Sequence, residues 1–458
     1  MSNKKPLVTI YITNYNYGKY IRNAIESVFN QTFDDYELLI IDDGSTDNSK
    51  EIIEEYASVD KITIIYQKNR GLNITNNVAL KASKGKYIVR LDADDYFETN
   101  ALQEMTSALE ADETLGLVFP DYYIVDAAGH VLSEIKRHDF DKEVNILDQP
   151  AHGACTMIRT HSLKSLGGYD ESYTCQDGYE LWVKFINKFK VTNISKTLFS
   201  YRRHNNNLTN NENKILSTRS KIKDAYVKKN KLNLPKTAAI IPLRPNYDIP
   251  FENFGENTFL EYKINELLHS DSISKIIVTS SNPVIKEFVE KKYQGKLSFV
   301  FRPEKLERIN VSLYKTMVFL GEQKELLDIE ALLFCTVSYP FVDRKIINDA
   351  INTLSIFKAD SLVSVRPEGN KFYRHTGDGM RAILKQDTFT KLERESIYKY
   401  TGGLILSNIK TAKKSGKLIH GNVGHIVVNE EAALNVDSIF EKQICNYILP
   451  NLKLEKIT

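Results

Sequence analysis

The stretch LVTIYITNYNYGKYIRNAIESVFNQTFDDYELLIIDD, residues 7–43, decides the fold of the first half of the chain. It opens with a short β-rich run at 7–13 and closes with a second at 36–43. Similar runs at 62–67 and 87–95 continue the series, which predicts a βαβ-based, layered α/β domain. Between the first two runs, apolar residues recur at helical spacing and form one stripe able to cover a sheet: Ile21, Ala24, Ile25, Val28 and Phe29.

A second alternating series begins after a change in composition. Residues 202–214, RRHNNNLTNNENK, are polar and rich in asparagine, and a basic helical pattern follows up to Pro235. Because a domain averages roughly 100 to 200 residues, 458 residues accommodate two such units. The later β-rich runs lie at 238–243, 275–281, 297–303, 331–341 and 361–367. We predict domains at 1–210 and 236–458, joined by a basic helical linker at 211–235.

Composition excludes several classes of protein. Lys plus Arg number 61 and Asp plus Glu 59, a formal charge of +2, which is too balanced for general attraction to nucleic acid. No apolar run approaches the roughly 20 residues that cross a bilayer, so we expect no transmembrane segment. We predict a cytoplasmic protein and leave open a peripheral position at the inner membrane face. The four cysteines are scattered, which indicates free thiols rather than a zinc site or disulfides.

Carboxylates follow the second and fourth strand-like runs. Asp42 and Asp43 end one run, and Asp92, Asp94 and Asp95 end the other. Ligands of open α/β sheets bind outside the carboxyl ends of the strands. Three carboxylates within four residues repel one another unless a cation is present, which favours a divalent metal. The alternative is a solvated loop in which Asp95 caps the next helix.

Together these motifs resemble glycosyltransferase family 2. The resemblance covers about residues 6–210 and rests on the opening stretch, on NRGL at 69–72, on GKYIVRLDADDYF at 85–97 and on YELW at 179–182. It implies the GT-A fold, and an inverting, metal-dependent transfer of a sugar from a nucleotide diphosphate sugar to an acceptor hydroxyl. Mn²⁺ or Mg²⁺ is the implied cofactor.

The resemblance assigns donor-binding roles to the first two strand ends. Thr13, Asn14 and Tyr15 match the loop that borders the nucleotide. Asp42 matches the aspartate that reads the base, and Asp43 lies beside it.

The remaining roles fall on later motifs. Asp92 and Asp94 match the metal-binding DxD pair, with Asp94 the better candidate for direct metal contact and Asp92 nearer the ribose. Asp177 matches the general base that deprotonates the acceptor. Arg202 and His204 resemble a C-terminal basic segment that closes over the diphosphate.

The first domain also departs from the family pattern. Asn76 and Asn77 stand where the family often has Arg-Asn, so an expected arginine is absent. Gln176 replaces the glutamate that often precedes the base, which removes one charge next to Asp177. Gly153 and Ala154 are predicted to let substrate approach the backbone closely.

The second series looks like acylneuraminate cytidylyltransferase, which joins CTP and a nonulosonic acid. The similar motifs are AAIIPLR at 238–244, RPEKLE at 302–307, KFYRHTGDGM at 371–380, YKYTGGLILSN at 398–408 and NVDSIFEKQI at 435–444. With the first resemblance, this implies two Rossmann-like nucleotide-binding domains in series.

Within this second resemblance, the residues expected to bind the triphosphate and the metal are only partly kept. Arg244 is kept, but Glu252 stands about where the second lysine of the triphosphate loop belongs, and Asn435 replaces one aspartate of the metal pair. A carboxylate facing a triphosphate is unfavourable. We therefore expect binding or assembly rather than synthesis, with Arg244, Arg302 and Asp437 lining a pocket for a nucleotide monophosphate or its sugar conjugate.

Three functions are compatible with these features. The first is a glycosyltransferase of surface or flagellar glycan synthesis, with a UDP-sugar donor and a glycan or glycoprotein acceptor. The second domain resembles enzymes that make CMP-sugars, but a CMP-sugar has no diphosphate for a metal to bind. The metal-binding DxD pair of the first domain therefore favours a different donor. The second is a bifunctional enzyme that also makes a CMP-nonulosonic acid, and the third is a non-catalytic scaffold. A homodimer through the C-terminal domain is left open.

Overall fold

The computed structural model describes residues 5–136, 153–204, 212–245, 248–368, 372–375, 380–382 and 397–455. Contacts between Cα atoms divide the chain into two compact units. The first comprises Met1–Arg219 and Lys371–Glu395, and the second comprises Ser220–Asn370 and Ser396–Thr458. Residues 371 and 376–379 of the motif KFYRHTGDGM lie outside the described residues.

The first unit alternates strands and helices as the sequence predicts. Its strands are β1 (Val8–Asn14), β2 (Tyr36–Asp42), β3 (Ile62–Tyr66), β4 (Tyr87–Asp92), β5 (Tyr96–Phe97), β6 (Leu115–Val125), β7 (Val131–Ile135), β8 (Met157–Arg159) and β9 (Lys190–Arg202). Its helices are α1 (Gly18–Phe29), α2 (Ser49–Glu54), α3 (Leu72–Ala82), α4 (Ala101–Ala111), α5 (Thr160–Ser165) and α6 (Asp177–Ile186). Helix α7 (Glu212–Asn230) contains the division between the units and falls in the predicted helical linker.

Strands β1 to β9 form one mixed sheet in the order β3-β2-β1-β4-β8-β6-β9-β5, with β7 paired to β6. The four strands β3, β2, β1 and β4 are parallel, and β8 runs antiparallel between β4 and β6. The register places Asn14 opposite Asp42 and Thr13 opposite Asp92. The carboxyl ends of β1, β2 and β4 therefore meet at one edge of the sheet.

Both faces of this sheet are covered. Side chains alternate along a strand, so Ile10 and Ile12 of β1 join one apolar cluster while Tyr11 joins the other. Helix α1 packs its predicted stripe on the first cluster, because Ile21, Ala24, Ile25 and Val28 are fully buried. Phe29 differs from the prediction: it ends the helix, is exposed and contacts the ring of Tyr56.

The second unit also alternates strands and helices. Its strands are β10 (Thr237–Pro242), β11 (Asn253–Phe254), β12 (Asn257–Thr258), β13 (Lys275–Ser280), β14 (Ser298–Phe301), β15 (Ala331–Cys335), β16 (Ser361–Glu368), β19 (Ile397–Asn408) and β20 (Val423–Val427). Strands β17 (Tyr373–His375) and β18 (Met380–Ala382) fall within the segment Lys371–Glu395 of the first unit and form a separate antiparallel pair. The helices are α8 (Phe259–Leu268), α9 (Pro283–Tyr293), α10 (Leu313–Leu320), α11 (Arg344–Ile356), α12 (Ile409–Ser415) and α13 (Ile439–Glu455).

The two main sheets share one topology. The second has the order β14-β13-β10-β15-β19-β16-β20, in which β19 runs antiparallel between β15 and β16. If the strands common to both sheets are numbered along the chain, each sheet reads 3-2-1-4-6-5-7 with the same directions. An α/β fold in each half is therefore confirmed, whereas the cytidylyltransferase-like identity of the second half stays a prediction.

Two further expectations concern the whole chain. Among the described residues, no helix is both long and apolar enough to span a bilayer. All four cysteines are free thiols, as predicted. Cys155, Cys335 and Cys445 are buried, while Cys175 is partly exposed.

We expect Cys175 to be the thiol that iodoacetamide modifies fastest in the native protein at pH 8. Burial raises the pKa of both Cys335 and Cys445 to about 11, so little of the reactive thiolate forms there. Peptide mass spectrometry of samples taken at increasing times measures the rate at which each cysteine is modified. Urea-unfolded protein is the control, in which all four cysteines react. Native Cys175→Ser protein should remain nearly unmodified; fast labelling of Cys335 in it would contradict the fold.

Candidate functional site

The predicted donor-side residues meet where β1, β2 and β4 end. The Asn14 side chain donates to Asp42 Oδ1 at 2.7 Å, and Thr13 Oγ1 donates to Asp92 Oδ1 at 3.0 Å. Both contacts follow from the parallel register of these strands. Tyr15 lies one residue beyond and is 46% exposed, so its ring is available to a ligand.

Asp42 and Asp43 are both buried and hold loops at this edge. Asp42 accepts from the backbone N–H of Ser45 at 3.1 Å, in addition to Asn14. Asp43 accepts from the backbone N–H groups of Arg70 and Gly71 at 2.9 and 2.8 Å. These carboxylates therefore shape the loops after β2 and β3.

The three carboxylates after β4 form a compact acidic turn. Asp94 and Asp95 are 7% and 1% exposed. Burial and the charge of Asp92 raise the pKa of Asp94, and burial and the charge of Asp94 raise that of Asp95 well above its ordinary value. Within the described part of the chain, Asp95 Oδ2 has no hydrogen-bond partner. The turn thus crowds three carboxyl groups into a poorly solvated place, where the charged forms of Asp94 and Asp95 are disfavoured.

An arginine and a histidine at the end of β9 contact this turn. His204 Nε2 lies 2.9 Å from Asp94 Oδ2, and its ring stacks on Tyr20 with centroids 5.6 Å apart. Arg202 is buried and donates from Nε to the Asp94 carbonyl and from its backbone N–H to Asp95 Oδ1, both at 2.8 Å. Arg202 therefore braces the acidic turn, while His204 faces its carboxylate.

This arrangement fits a divalent cation bound together with a substrate. Among the described residues, no three His, Cys, Asp or Glu side chains are grouped at metal-binding spacing. Mg²⁺ sites in nucleotide enzymes commonly use one or two carboxylates and complete their coordination with phosphate oxygens and water. The carboxylate of Asp94 and the unpartnered oxygen of Asp95 are donors of the kind such a cation takes, and the imidazole of His204 is a nitrogen donor beside them.

Asp177 is held by an arginine that also holds Asp92. The residue begins α6, and its Oδ2 accepts from Arg90 Nη1 and from Asn76 Nδ2, the latter at 3.4 Å. Arg90 Nε lies 3.0 Å from Asp92 Oδ1. Burial alone would lower the pKa of Arg90. The negative charges of Asp177 and Asp92 outweigh that effect and hold the pKa well above its ordinary value. Arg90 therefore links the carboxylate at the end of β4 to the carboxylate at the start of α6.

Sequence analysis missed Arg90, although a signal was present. Arg90 interrupts the apolar run of β4, and a buried cation in such a strand requires an anionic partner. Gly153 makes room for it, because a Cβ at Gly153 would lie 2.5 Å from Arg90 Nη2. The predicted need for a small residue here is thus explained by the protein's own arginine.

The asparagines of α3 organise the chain that leads to Asp177. Asn73 Nδ2 donates to the carbonyls of Asp170 and Tyr173, at 2.7 and 2.9 Å. Asn77 exchanges hydrogen bonds with the backbone of Tyr169, each 2.9 Å long. Asn73 and Asn77 therefore position the segment that leads to Asp177, while Asn76, which stands in place of the family's arginine, contacts Asp177 itself.

A pocket opens beside Asp177 within the first unit. Its volume is about 290 Å³, including space open to solvent. Trp182 lines it, is 2% exposed, and has an indole N–H without a partner among the described residues. The other lining residues are Leu117, Gly153, Thr156, Tyr169, Gly178 and Leu181. A polar oxygen entering this pocket would meet both a carboxylate and an apolar wall.

The predicted residues of the second unit lie in different environments. Arg244 is exposed, as is Asp437, which pairs with Asn435 Nδ2 at 2.8 Å. Arg302 is 2% exposed and directs its guanidinium at Glu307, at 3.3 Å.

One charge change in the second unit has a partner that sequence analysis missed. Glu252, the residue that departs from the lysine pattern, pairs with Lys442 of α13 at 2.7 Å. Lys442 therefore brings an ammonium group next to position 252, where this chain has a glutamate instead of the expected lysine.

Comparisons with known proteins match the first part of the chain to glycosyltransferases. The model named Glycosyl transferase family 2 matches residues 9–167. The chain is 33% identical over 207 residues to the uncharacterized glycosyltransferase MJ1057 of Methanocaldococcus jannaschii, covering 43% of this chain and 71% of that protein. It is 30% identical over 203 residues to Escherichia coli chondroitin synthase, covering 44% of this chain but only 30% of that protein.

A solved structure shows a more distant likeness. The crystal structure of S. aureus TarS 1-349 in complex with UDP-GlcNAc is 17% identical, with a TM-score of 0.40, and the match covers 48% of this chain and 66% of that one. A score this low does not support comparison of individual residues.

We expect Arg90→Gln to lower the free energy of unfolding by about 3 to 5 kcal/mol, since it leaves two carboxylates partly buried without their cation. Urea unfolding followed by circular dichroism measures this change. Arg22→Gln is the matched control, because Arg22 pairs with Glu55 at the surface, where such pairs contribute little. Equal shifts of the midpoint in the two variants would contradict the importance of the buried pair.

Proposed function

The chain belongs to glycosyltransferase family 2 and is a transferase, and from this we propose that it moves a sugar, with metal assistance and inversion, from a nucleotide diphosphate sugar to a glycan or protein acceptor. The observation that supports the proposal is the Arg90 guanidinium, which pairs both with Asp92, proposed for the donor side, and with Asp177, proposed for the acceptor side.

The donor half of the proposed site is the acidic turn with the strand ends beside it. Thr13 and Asp92 are joined by a hydrogen bond and would border the ribose, with Asp42 beneath the base. Asp94 and His204 would hold Mn²⁺ or Mg²⁺, which when bound stabilises the charge of the departing diphosphate. Tyr17 and Tyr20 flank His204 and fix its ring against the turn.

The acceptor half of the proposed site is Asp177 and the adjoining pocket. Arg90 and Asn76 both contact Oδ2, so they fix the direction of the carboxylate. In the proposed step the acceptor hydroxyl gives its proton to Asp177 as its oxygen bonds to the anomeric carbon. The bond from that carbon to the diphosphate breaks on the opposite face, and the configuration inverts.

The donor and the cellular role are finer proposals. A UDP-sugar is the leading candidate, and the product would be a surface or flagellar glycan made at the cytoplasmic side of the membrane. Because the chain spans only 30% of the chondroitin synthase it matches, we do not transfer that enzyme's substrates. The balanced charge of the chain supports no role in nucleic-acid binding.

For the second unit we propose a cytidylyltransferase-like domain that binds a nucleotide or assembles the protein. The shared sheet topology and the Lys442–Glu252 pair support a nucleotide site at the corresponding edge. The burial of Arg302 against Glu307 leaves Arg244 and Asp437 as the accessible groups of the proposed pocket. A bifunctional enzyme would release pyrophosphate from CTP only when a nonulosonic acid and Mg²⁺ are added.

A donor screen of the full chain tests the transferase proposal. UDP-, GDP-, dTDP- and CMP-sugars are compared for release of nucleotide, with and without Mn²⁺. We expect metal-dependent activity with one nucleotide diphosphate sugar, and a loss of about 100-fold or more in Asp94→Asn, because charge stabilisation of the leaving group is removed. Metal-independent turnover, or full activity in Asp94→Asn, would refute the donor site.

We expect Asp177→Asn to lower kcat for transfer by about 100- to 10,000-fold while the affinity for donor stays within about twofold, because a base acts on the acceptor. Steady-state kinetics and donor titration by calorimetry measure the two effects. Asp60→Asn, the same chemical change at an exposed position, is the control. Loss of donor binding in Asp177→Asn would instead assign Asp177 to the donor site.

A further inference from the structure

The residue before Asp177 has an unusual backbone. Gln176 adopts φ 64° and ψ 32°, the left-handed region, which L side chains other than asparagine and aspartate rarely occupy. Its carbonyl accepts the backbone N–H of Glu180 at 3.0 Å and so closes the first turn of α6. The direction in which Asp177 leaves the chain therefore depends on this one strained residue.

Helix α7 contacts Gln176 at this point. Arg219 Nε donates to Gln176 Oε1 at 2.7 Å, and the guanidinium carbon lies 4.7 Å from the centroid of the Tyr179 ring. Tyr179 is 1% exposed, so the ring is a fixed platform. One residue earlier, the Cys175 thiol lies 3.4 Å from Thr218 Oγ1. Two neighbouring residues of α7 thus hold the two residues that precede Asp177.

We propose that Arg219 is a positioning residue for sugar transfer: it holds Gln176 in the left-handed conformation and thereby sets the direction of the Asp177 carboxylate. The guanidinium is suited to this task because it is planar, so it stacks on Tyr179 while its Nε–H points at Gln176. Arg219 lies outside residues 9–167, the part matched by the family model. The inference rests on the proposed role of Asp177 as the base.

Two cations therefore act on Asp177 in different ways. Arg90 binds the carboxylate itself, whereas Arg219 binds the preceding side chain. Loss of Arg219 should leave the fold and the donor side intact but allow the turn at 176 to relax. A displacement of about 1 Å at a reacting group can reduce turnover about 100-fold.

The test compares Arg219→Gln with Lys221→Gln, which removes the same charge from an exposed position two residues along α7. We expect Arg219→Gln to lower kcat for transfer by about 10- to 100-fold, with the donor KM within about twofold. Hydrogen exchange should become faster in peptides covering 174–182. Lys221→Gln should change none of these quantities.

The same substitution made in a Gln176→Gly variant distinguishes a positioning role of Arg219 from direct contact between Arg219 and substrate. Glycine adopts positive φ without support, so in Gln176→Gly protein the further change Arg219→Gln should cost less than about twofold in kcat. An equal loss in both backgrounds would show that Arg219 acts on substrate and would overturn the inference. Unchanged exchange at 174–182 in Arg219→Gln would also overturn it. If the wild-type protein transfers no sugar, the proposed function is refuted; faster exchange at 174–182 in Arg219→Gln than in wild type would still support the positioning of Asp177 by Arg219.

Discussion

The buried guanidinium of Arg90 is the constraint on which the rest of the first site depends. A cation removed from water is costly unless anions surround it, and here Asp92 and Asp177 supply them from the end of β4 and the start of α6. Gly153 must lack a side chain for Arg90 to fit. The need to pair one charge therefore brings together segments that are 87 residues apart in the sequence.

The two sheets share one topology but carry different residues at their strand ends. In the first unit the carboxyl ends of the central strands carry Asn14, Asp42 and Asp92. At the corresponding ends in the second unit stand Pro242, Ser280 and Cys335. The same strand order thus presents acidic groups suited to a cation in one unit and neutral groups in the other. Function has to be argued from these edge residues, because the fold is common to both.

The sequence predicted what depends on local pattern. Apolar patterns located β1 to β4, β10, β13 to β16 and α1, and strand ends located the acidic turn of Asp92 and Asp94. The sequence did not locate short strands such as β5 and β8. It did not predict that Arg90 joins this turn to Asp177, or that Arg219 reaches Gln176, because these contacts depend on tertiary packing between distant segments. Arg202 was expected at the diphosphate. In the structure it is buried and donates to backbone carbonyls, and a local sequence pattern cannot distinguish such an arginine from one that is accessible to a ligand.

Each departure from the family patterns has a partner nearby. Asn76 stands where an arginine is often found, and its amide shares Asp177 Oδ2 with Arg90. Gln176 lacks the charge of a glutamate and accepts from Arg219 through its neutral amide oxygen.

A carboxylate at 176 would add a second negative charge beside Asp177 and would compete with it for the nearby cations. The neutral amide keeps the hydrogen bond to Arg219 without that competition. The altered residues are therefore best understood together with the groups they contact, since a change of charge in a crowded site is tolerated only where its surroundings compensate.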